Sequence, residues 1–534
     1  MIENKDIMLP TVVGDAQAGD RHTVLIAASL SLFTFTVCYW RSFVFPHVPI
    51  LPGGDQLDFV VAGSRIVAGE LPYRDFFEKL PVGSDLTFAL LIKWFGLYTW
   101  IPCLVMDCLA AAIVFLMTLV ARRLMRGPVI VLPGLLLAGF VLPGSLDATH
   151  HWFSTLVAVG GMLVLLDGIT STRVAAAGAL CGFAACFTQT AGAAVAAGFA
   201  GYLAWRTRQK HAPLGEWLCK SLLLCGAAAA VFAIANAYFI WAAGLHRWLF
   251  CVVIYPLRYF TAPAVNNWRV VEYDFQWHHG LGRWISFPFL YATVPLVYIV
   301  FVLELRRQCR KAANEPWDRL ALVALTGFLL FLSIAPLPSV KRLSTVSPLA
   351  MVLLVWLFNR PDKTASRMKA ILGGLAFALA IAAPVYSQTR QRAYLDLPAG
   401  RTAFLDPVQY DEYRWVLSHT HPGQYFFGMP PMYLPFHLLN PTAVEGFDPS
   451  EYTRPEEVLA GVKALSAHPV PLMILRLREQ YLLPVRSPSD HHESFRKYLL
   501  QNYRLTRTFP NGDGVWERTD SLGDVFSSRP LTDN

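Results

Sequence analysis

Six carboxylates crowd the stretch Gly53–Asp85: Asp55, Asp58, Glu70, Asp75, Glu78 and Asp85. Only Arg65, Arg74 and Lys79 balance them. A carboxylate with a hydroxyl in reach can act as a general base. Asp55 is the leading candidate, and Asp58, three residues on, is the second. Locally, Asp55 also reads as the N-cap of a helix whose apolar face is Leu57, Val60, Val61 and Val67, ended by Gly69. Asp58 would then sit at the third helical position, in a capping-box-like arrangement. The two roles are compatible. Pro72 and Pro81-Val82-Gly83 break the chain after the helix. Such an amphipathic helix beside a membrane span would lie in the interface. There a polar acceptor could meet a lipid-borne donor.

The sequence contains no GxxxxGK[ST], no GxGxxG after a strand and no HExxH. A nucleotide-driven pump or a nucleotide-sugar enzyme therefore has no support. A lipid-phosphate sugar donor needs neither motif. It needs a base for the acceptor hydroxyl and cations for the departing phosphate. The candidate cations are Arg258, in Tyr255-Pro-Leu-Arg-Tyr259, and Lys341 and Arg342, in Pro338-Ser-Val-Lys-Arg342. At the outer end of a span, adjacent cations run against the positive-inside bias. Anchoring to anionic headgroups would explain them equally. Arg74 is an alternative cation. Glu70, Asp75 and Glu78 could pair with Arg65, Arg74 or Lys79 and merely fold the loop.

Three adjacent histidine pairs occur, His150-His151, His278-His279 and His491-His492. Neighbouring side chains on a helix or strand point apart, so a pair is a poor metal site. Exposed loop positions are the expectation, with His150 or His151 as an alternative ligand beside Asp55. The first loop has no DxD, so a divalent metal is possible but unsupported and no cofactor is expected. Gln189 reads as a cavity-lining or turn residue.

The elements that must hold these groups are apolar. The 534 residues are 54% hydrophobic and 15% charged, with a mean hydropathy of +0.41. That is the composition of a polytopic membrane protein. The net charge of +8 comes from basic residues in short loops, as the positive-inside rule expects, and nucleic acid is not an expected partner. The nine cysteines lie in or beside apolar runs and read as small packing residues.

Residues 1–22 read as a cytoplasmic tail and 23–388 as the membrane domain, with a first external loop over 46–85. Spans are expected over 23–45, 100–120, 129–142, 152–166, 174–187, 191–205, 217–243, 284–305, 320–335, 349–358 and 371–386. That is about 11 transmembrane helices, with the N-terminus inside. Residues 86–97 are apolar but short, and read as a second interfacial or re-entrant helix. Small residues in 174–187 suit close helix packing. Trp94, Tyr98, Trp100, Trp152, Trp248 and Trp284 read as an interfacial belt.

From 389 to 534 charge, proline and tyrosine rise. Strands are predicted at 425–427, 472–475, 504–509 and 515–518, and helices at 408–419, 455–467 and 489–502. The result is a small external α/β domain.

The run Glu70-Leu71-Pro72-Tyr73-Arg74-Asp75-Phe76-Phe77, preceded by an acidic residue and a short helix and followed by Pro81-Val82-Gly83, resembles the first external loop of bacterial GT-C glycosyltransferases. These are the protein O-mannosyltransferase-like and aminoarabinose-transferase-like enzymes. Their usual P-P-G is here Pro-Val-Gly. Locally the cap is the favoured reading of Asp55; the resemblance instead implies a base. It also implies a sugar taken from a polyprenyl-phosphate carrier, on the external face, with inversion. The acceptor would be a glycan, lipid or protein. Asp55 and Asp58 are the expected catalytic residues. Tyr73, Arg74, Glu78, Arg258, Tyr259, Lys341 and Arg342 are the expected substrate contacts. A transporter of lipid-linked sugars would show paired repeats, and none is evident. A non-catalytic scaffold would tolerate loss of Asp55.

Overall fold

The computed structural model describes residues 13–260, 268–277, 281–308, 317–359, 363–447, 453–476 and 491–519. Long helices dominate its first three-quarters. They are α1 (Val13–Ser42), α2 (Gln56–Val67), α3 (Gly83–Phe95), α4 (Trp100–Leu124), α5 (Leu132–Leu136), α6 (His150–Leu166), α7 (Ser171–Phe187) and α8 (Gln189–Gln209). Next come α9 (Leu214–Ala243), α10 (Leu245–Leu249), α11 (Val270–Trp277), α12 (Leu281–Gln308), α13 (Trp317–Ser333), α14 (Val340–Phe358) and α15 (Lys363–Thr389).

Six of these carry segments long and apolar enough to cross a membrane: Arg21–Ser42, Trp100–Leu124, Leu214–Ala243, Trp284–Arg307, Val340–Phe358 and Ser366–Thr389. Several apolar helices are shorter. The chain is thus a multi-pass membrane protein. Helix α1 begins at Val13, and its membrane-crossing segment at Arg21. One expectation needs correction: α14 begins at Val340, nine residues before the expected span.

The segment Pro128–Gly144 is not one α-helix. It runs through a 3₁₀ turn, α5, a wide π turn and another 3₁₀ turn. Pro128, Pro133 and Pro143 remove backbone donors along it, which explains the broken pattern. Elsewhere packing is tight because side chains are small. A Cβ at Gly178 or Gly182 would lie 2.2 Å from the carbonyl oxygen of Leu224 or Ala228. This glycine pair, four residues apart, lets α7 lie against the backbone of α9.

After α15 the chain turns to strands and short helices. A hairpin of β3 (Ala393–Leu397) and β4 (Gly400–Phe404) follows the two-residue ribbon β1 (Phe43–Val44) and β2 (Val48–Pro49) of the first loop. Then come α16 (Pro407–His419), β5 (Phe427–Gly428), α17 (Tyr433–Phe436), α18 (Pro455–Ala467), β6 (Leu472–Arg476), α19 (Glu493–Asn502), β7 (Tyr503–Thr508) and β8 (Asp513–Arg518). The sheet order is β5-β6-β8-β7, parallel for the first pair and antiparallel for the rest. One apolar cluster on this sheet takes in Leu395, Phe404, Val416, Phe426 and Ile474 together with Val61 of α2. The hairpin β3–β4 was not anticipated: its alternation spans only five residues a side.

Helix α2 therefore does not lie open in an interface. Leu57 and Val60 join the helical core and Val61 the C-terminal core. Val67, expected on the apolar face, is exposed. The described cysteines are free thiols, and Cys309 lies outside the described residues.

Candidate active site

Asp55 stands at the N-cap of α2, yet its side chain makes no capping bond. Its backbone is already helical, φ −64° and ψ −20°. A capping side chain normally needs an extended residue to turn back on the helix. The helix end is satisfied from elsewhere. Asp147 Oδ2 accepts from the Asp55 N–H at 3.2 Å, and Asp147 Oδ1 from the Gln56 N–H at 3.1 Å. The Gln56 side chain returns the contact, accepting from the Ala148 N–H at 3.0 Å. Asp147 is buried and Asp55 is exposed. The capping-box expectation for Asp55 and Asp58 is thus corrected: a carboxylate from a second loop takes the cap and leaves that of Asp55 outward.

Gly54 makes this approach possible. Its φ is +86°, and a Cβ there would meet Asp147 Oδ2 at 2.0 Å. Both facts demand glycine. On its other side Asp147 pairs with Lys341, whose Nζ lies 3.0 Å from Oδ2. Burial pushes the Asp147 carboxyl upward and the Lys341 ammonium opposes it. Lys341 and Arg342 occupy the first turn of α14. That turn is capped by Ser339, which accepts from the Arg342 N–H, and by Asp274, which accepts from the Val340 N–H at 2.7 Å. Asp55 lies within electrostatic reach of Lys341 and of His150. So α2, the 145–149 loop and α14 converge on one point.

His150 and His151 correct a second expectation. Both are buried, with rings 3.9 Å apart. His150 Nδ1 bonds Thr188 Oγ1 at 2.7 Å, and its ring meets Phe59 edge-on. Among the described residues no three His, Cys, Asp or Glu side chains gather in a geometry that could hold a metal ion. His278-His279 lies outside the described residues.

Behind Asp55 lie carboxyls whose pKa values burial raises, which favours their neutral form. Asp58 is half-buried, and desolvation, then Asp55, pushes its pKa up to about 8. Glu78 is raised by burial, against the pull of Lys79, and its Oε1 accepts from the Leu80 N–H at 2.9 Å. Asp85 is raised well above the carboxylate range by burial, then by Glu78 and Asp58. Glu445, on the segment before α18, is raised for the same reasons. A neutral carboxyl donates a hydrogen bond rather than carrying charge. Glu445 had no signal in the sequence, since only folding brings it to the first loop.

The remaining expected contacts have local partners of their own. Glu70 pairs with Arg65 at 2.6 Å and Asp75 with Arg74 at 2.7 Å. Arg74 sits in an exposed pair. Tyr73 is fully buried, with φ +67°, and its hydroxyl donates to the Leu80 carbonyl at 2.7 Å. Tyr73 therefore holds the loop and offers no surface. Arg258 and Tyr259 sit on a π-helical segment, Pro256–Phe260, with the Arg258 guanidinium over the Tyr259 ring at 5.6 Å. Tyr255 of the same run meets Phe77 of the loop edge-on at 4.7 Å. Gln189 donates to the Val252 carbonyl at 3.0 Å, which links these parts. Asp147 was missed by the sequence reading because nothing near it marks it as more than a loop residue.

No family model and no curated protein matches the sequence. Among solved structures, ArnT from Cupriavidus metallidurans in the apo state superposes with a TM-score of 0.59. The alignment covers 94% of this chain and 99% of that one, at 13% identity. The chain has the GT-C fold of ArnT. The mycobacterial arabinofuranosyltransferase AftD aligns over 93% of this chain and 40% of its own, at 14% identity and a TM-score of 0.46. In this chain the first loop bearing Asp55 packs against the helical bundle and is hydrogen-bonded to the strand-containing region.

Proposed function

We propose that the chain is a membrane glycosyltransferase that moves a sugar from a polyprenyl-phosphate carrier to an acceptor hydroxyl, with inversion at the anomeric carbon. One observation carries this reading: Asp147 takes the helix cap, so the Asp55 carboxylate stays outward beside Lys341. A carboxylate spent on capping is a poor base. One left uncapped can take a proton.

In this reaction the acceptor hydroxyl loses its proton to Asp55, and its oxygen attacks the anomeric carbon from the face opposite the phosphate. The bond from that carbon to the phosphate oxygen breaks, and its electron pair leaves with the polyprenyl phosphate. Lys341 and Arg342, with Arg258, would carry the developing phosphate charge. The neutral carboxyls of Asp58, Asp85 and Glu445 would donate to sugar hydroxyls. The reaction needs no step through a metal or cofactor. About eleven segments would span, with the N-terminus cytoplasmic and residues 389–534 external. The fold shared with ArnT supports this reading.

The test is sugar transfer in proteoliposomes, with radiolabelled polyprenyl-phosphate sugars and a membrane extract as acceptor. Wild type transfers label and Asp55→Asn, at equal yield and melting temperature, does not. Equal transfer by the variant would remove Asp55 as the base. Loss of transfer in wild type with every donor would favour a transporter or a scaffold.

A further inference from the structure

Two arginines stand together at the ends of two helices, and neither forms an ion pair among the described residues. Arg41 lies in the last turn of α1, and Arg390 follows directly on α15. Arg41 feels the positive charge of Arg390. Among the described residues no carboxylate comes within ion-pair distance of either. Arg41 Nε donates to the Pro143 carbonyl at 3.2 Å, which fixes the guanidinium while its other nitrogens have no partner among the described residues.

Their proximity is enforced. The Gln388 side-chain amide donates to the carbonyls of Trp40 and Phe43, at 2.7 and 2.6 Å, and so ties the end of α15 to the end of α1. Like charges held together cost free energy unless an anion sits between them. Arg390 also lines a cavity of about 340 Å³, with Ile50, Leu51, Leu405, Asp406 and Gln409 around it. Asp406 is the one acid there, and its Oδ1 is engaged in capping α16 through the Val408 N–H.

Position identifies the anion. The candidate membrane spans Arg21–Ser42 and Ser366–Thr389 both end at this point. Trp40, Phe45, Tyr386 and Tyr394 are exposed around it. Aromatic rings and arginines at the ends of spans lie at headgroup depth. We propose that Arg41 and Arg390 form a binding site for the phosphate diester of a phospholipid headgroup, with the neighbouring cavity taking the rest of the headgroup. The proposal does not depend on the transferase reading.

Thermal unfolding of the purified full chain in an uncharged detergent tests this, with dihexanoyl phosphatidylglycerol as the probe. An alkyl glucoside of equal chain length and inorganic phosphate are the comparison arms. The phospholipid should raise the melting temperature, and the other two should not. Arg390→Gln should leave the lipid-free melting temperature unchanged or higher, since a repulsion is removed. Losing one charge-assisted contact should weaken the lipid response roughly tenfold in concentration. An equal response in Arg390→Gln would overturn the proposal. So would an equal response to the glucoside, which would make the effect one of chain alone. A full response to inorganic phosphate would overturn the lipid source and leave a free-anion site.

Discussion

The carboxylate of Asp147 caps the helix that Asp55 begins, 92 residues earlier in the chain. The same carboxylate holds Lys341. One buried side chain thus sets three things: the start of α2, the outward course of Asp55, and the position of a cation.

Asp147→Ala should remove all three. Losing a helix cap costs about 1 kcal/mol, and a buried Lys341 partner lost adds to it. Transfer should fall at least tenfold. Asp147→Asn keeps an acceptor for the helix but not the charge, so its melting temperature should recover more than its activity. Calorimetry and the transfer assay, run on both variants, separate the two contributions.

Gly54→Ala places a Cβ where Asp147 Oδ2 now lies. Positive φ adds a backbone penalty of roughly 1 kcal/mol. The variant should be destabilised by more than an alanine elsewhere in the loop, such as Gly53→Ala, where nothing lies within 4 Å of an added Cβ. Unfolding of the two variants side by side checks this.

Asp58 gives a pH dependence of stated sign. Its folded pKa is raised to about 8, from an ordinary carboxylate value. Across the window between the two, the folded chain binds more protons than the unfolded one. Stability from this group is therefore greatest at the acid end, falls as pH rises through the window and is flat above it. Asp85 and Glu445 act in the same direction. Asp58→Asn should lose its part of the slope, so its melting temperature relative to wild type should climb between pH 5 and 8. A flat difference would mean that Asp58 is ionised in the folded state.

Arg65 reaches in two directions, to Glu70 at 2.6 Å and to the Thr442 carbonyl at 3.0 Å. Its guanidinium also covers the Phe76 ring at 4.7 Å. Arg65→Ala leaves that carbonyl without a donor, a cost of about 2 kcal/mol. The loop should then become a site of early cleavage in limited proteolysis, while Arg74→Ala, which breaks only an exposed pair, should not.

Much of the fold was legible because its signals are local and strong. A long apolar run such as Trp100–Leu124 admits few alternatives to a helix, and the small residues of 174–187 announce close packing. The loop pairs Arg65–Glu70 and Arg74–Asp75 were within reach for the same reason, being near in sequence. What stayed hidden depends on contacts across the chain. Asp55 looks like its own cap until Asp147 arrives. His150 and His151 look like loop residues until α6 starts at the first of them. Tyr73 looks like a ligand contact until burial closes over it. Glu445 has no local mark at all.

The region after α15 is stitched to the first loop and to the turn before α4. Leu51 N–H donates to the Ala403 carbonyl at 2.9 Å, Phe77 N–H to Ala443 at 2.7 Å, and Thr99 N–H to Ala399 at 3.0 Å. Those bonds mean that the region is no interchangeable cassette. A hybrid protein that borrowed residues 393–519 from another GT-C chain would leave 51–99 facing a stranger's backbone. Any graft of that region must carry the loop and the cap as one transplant.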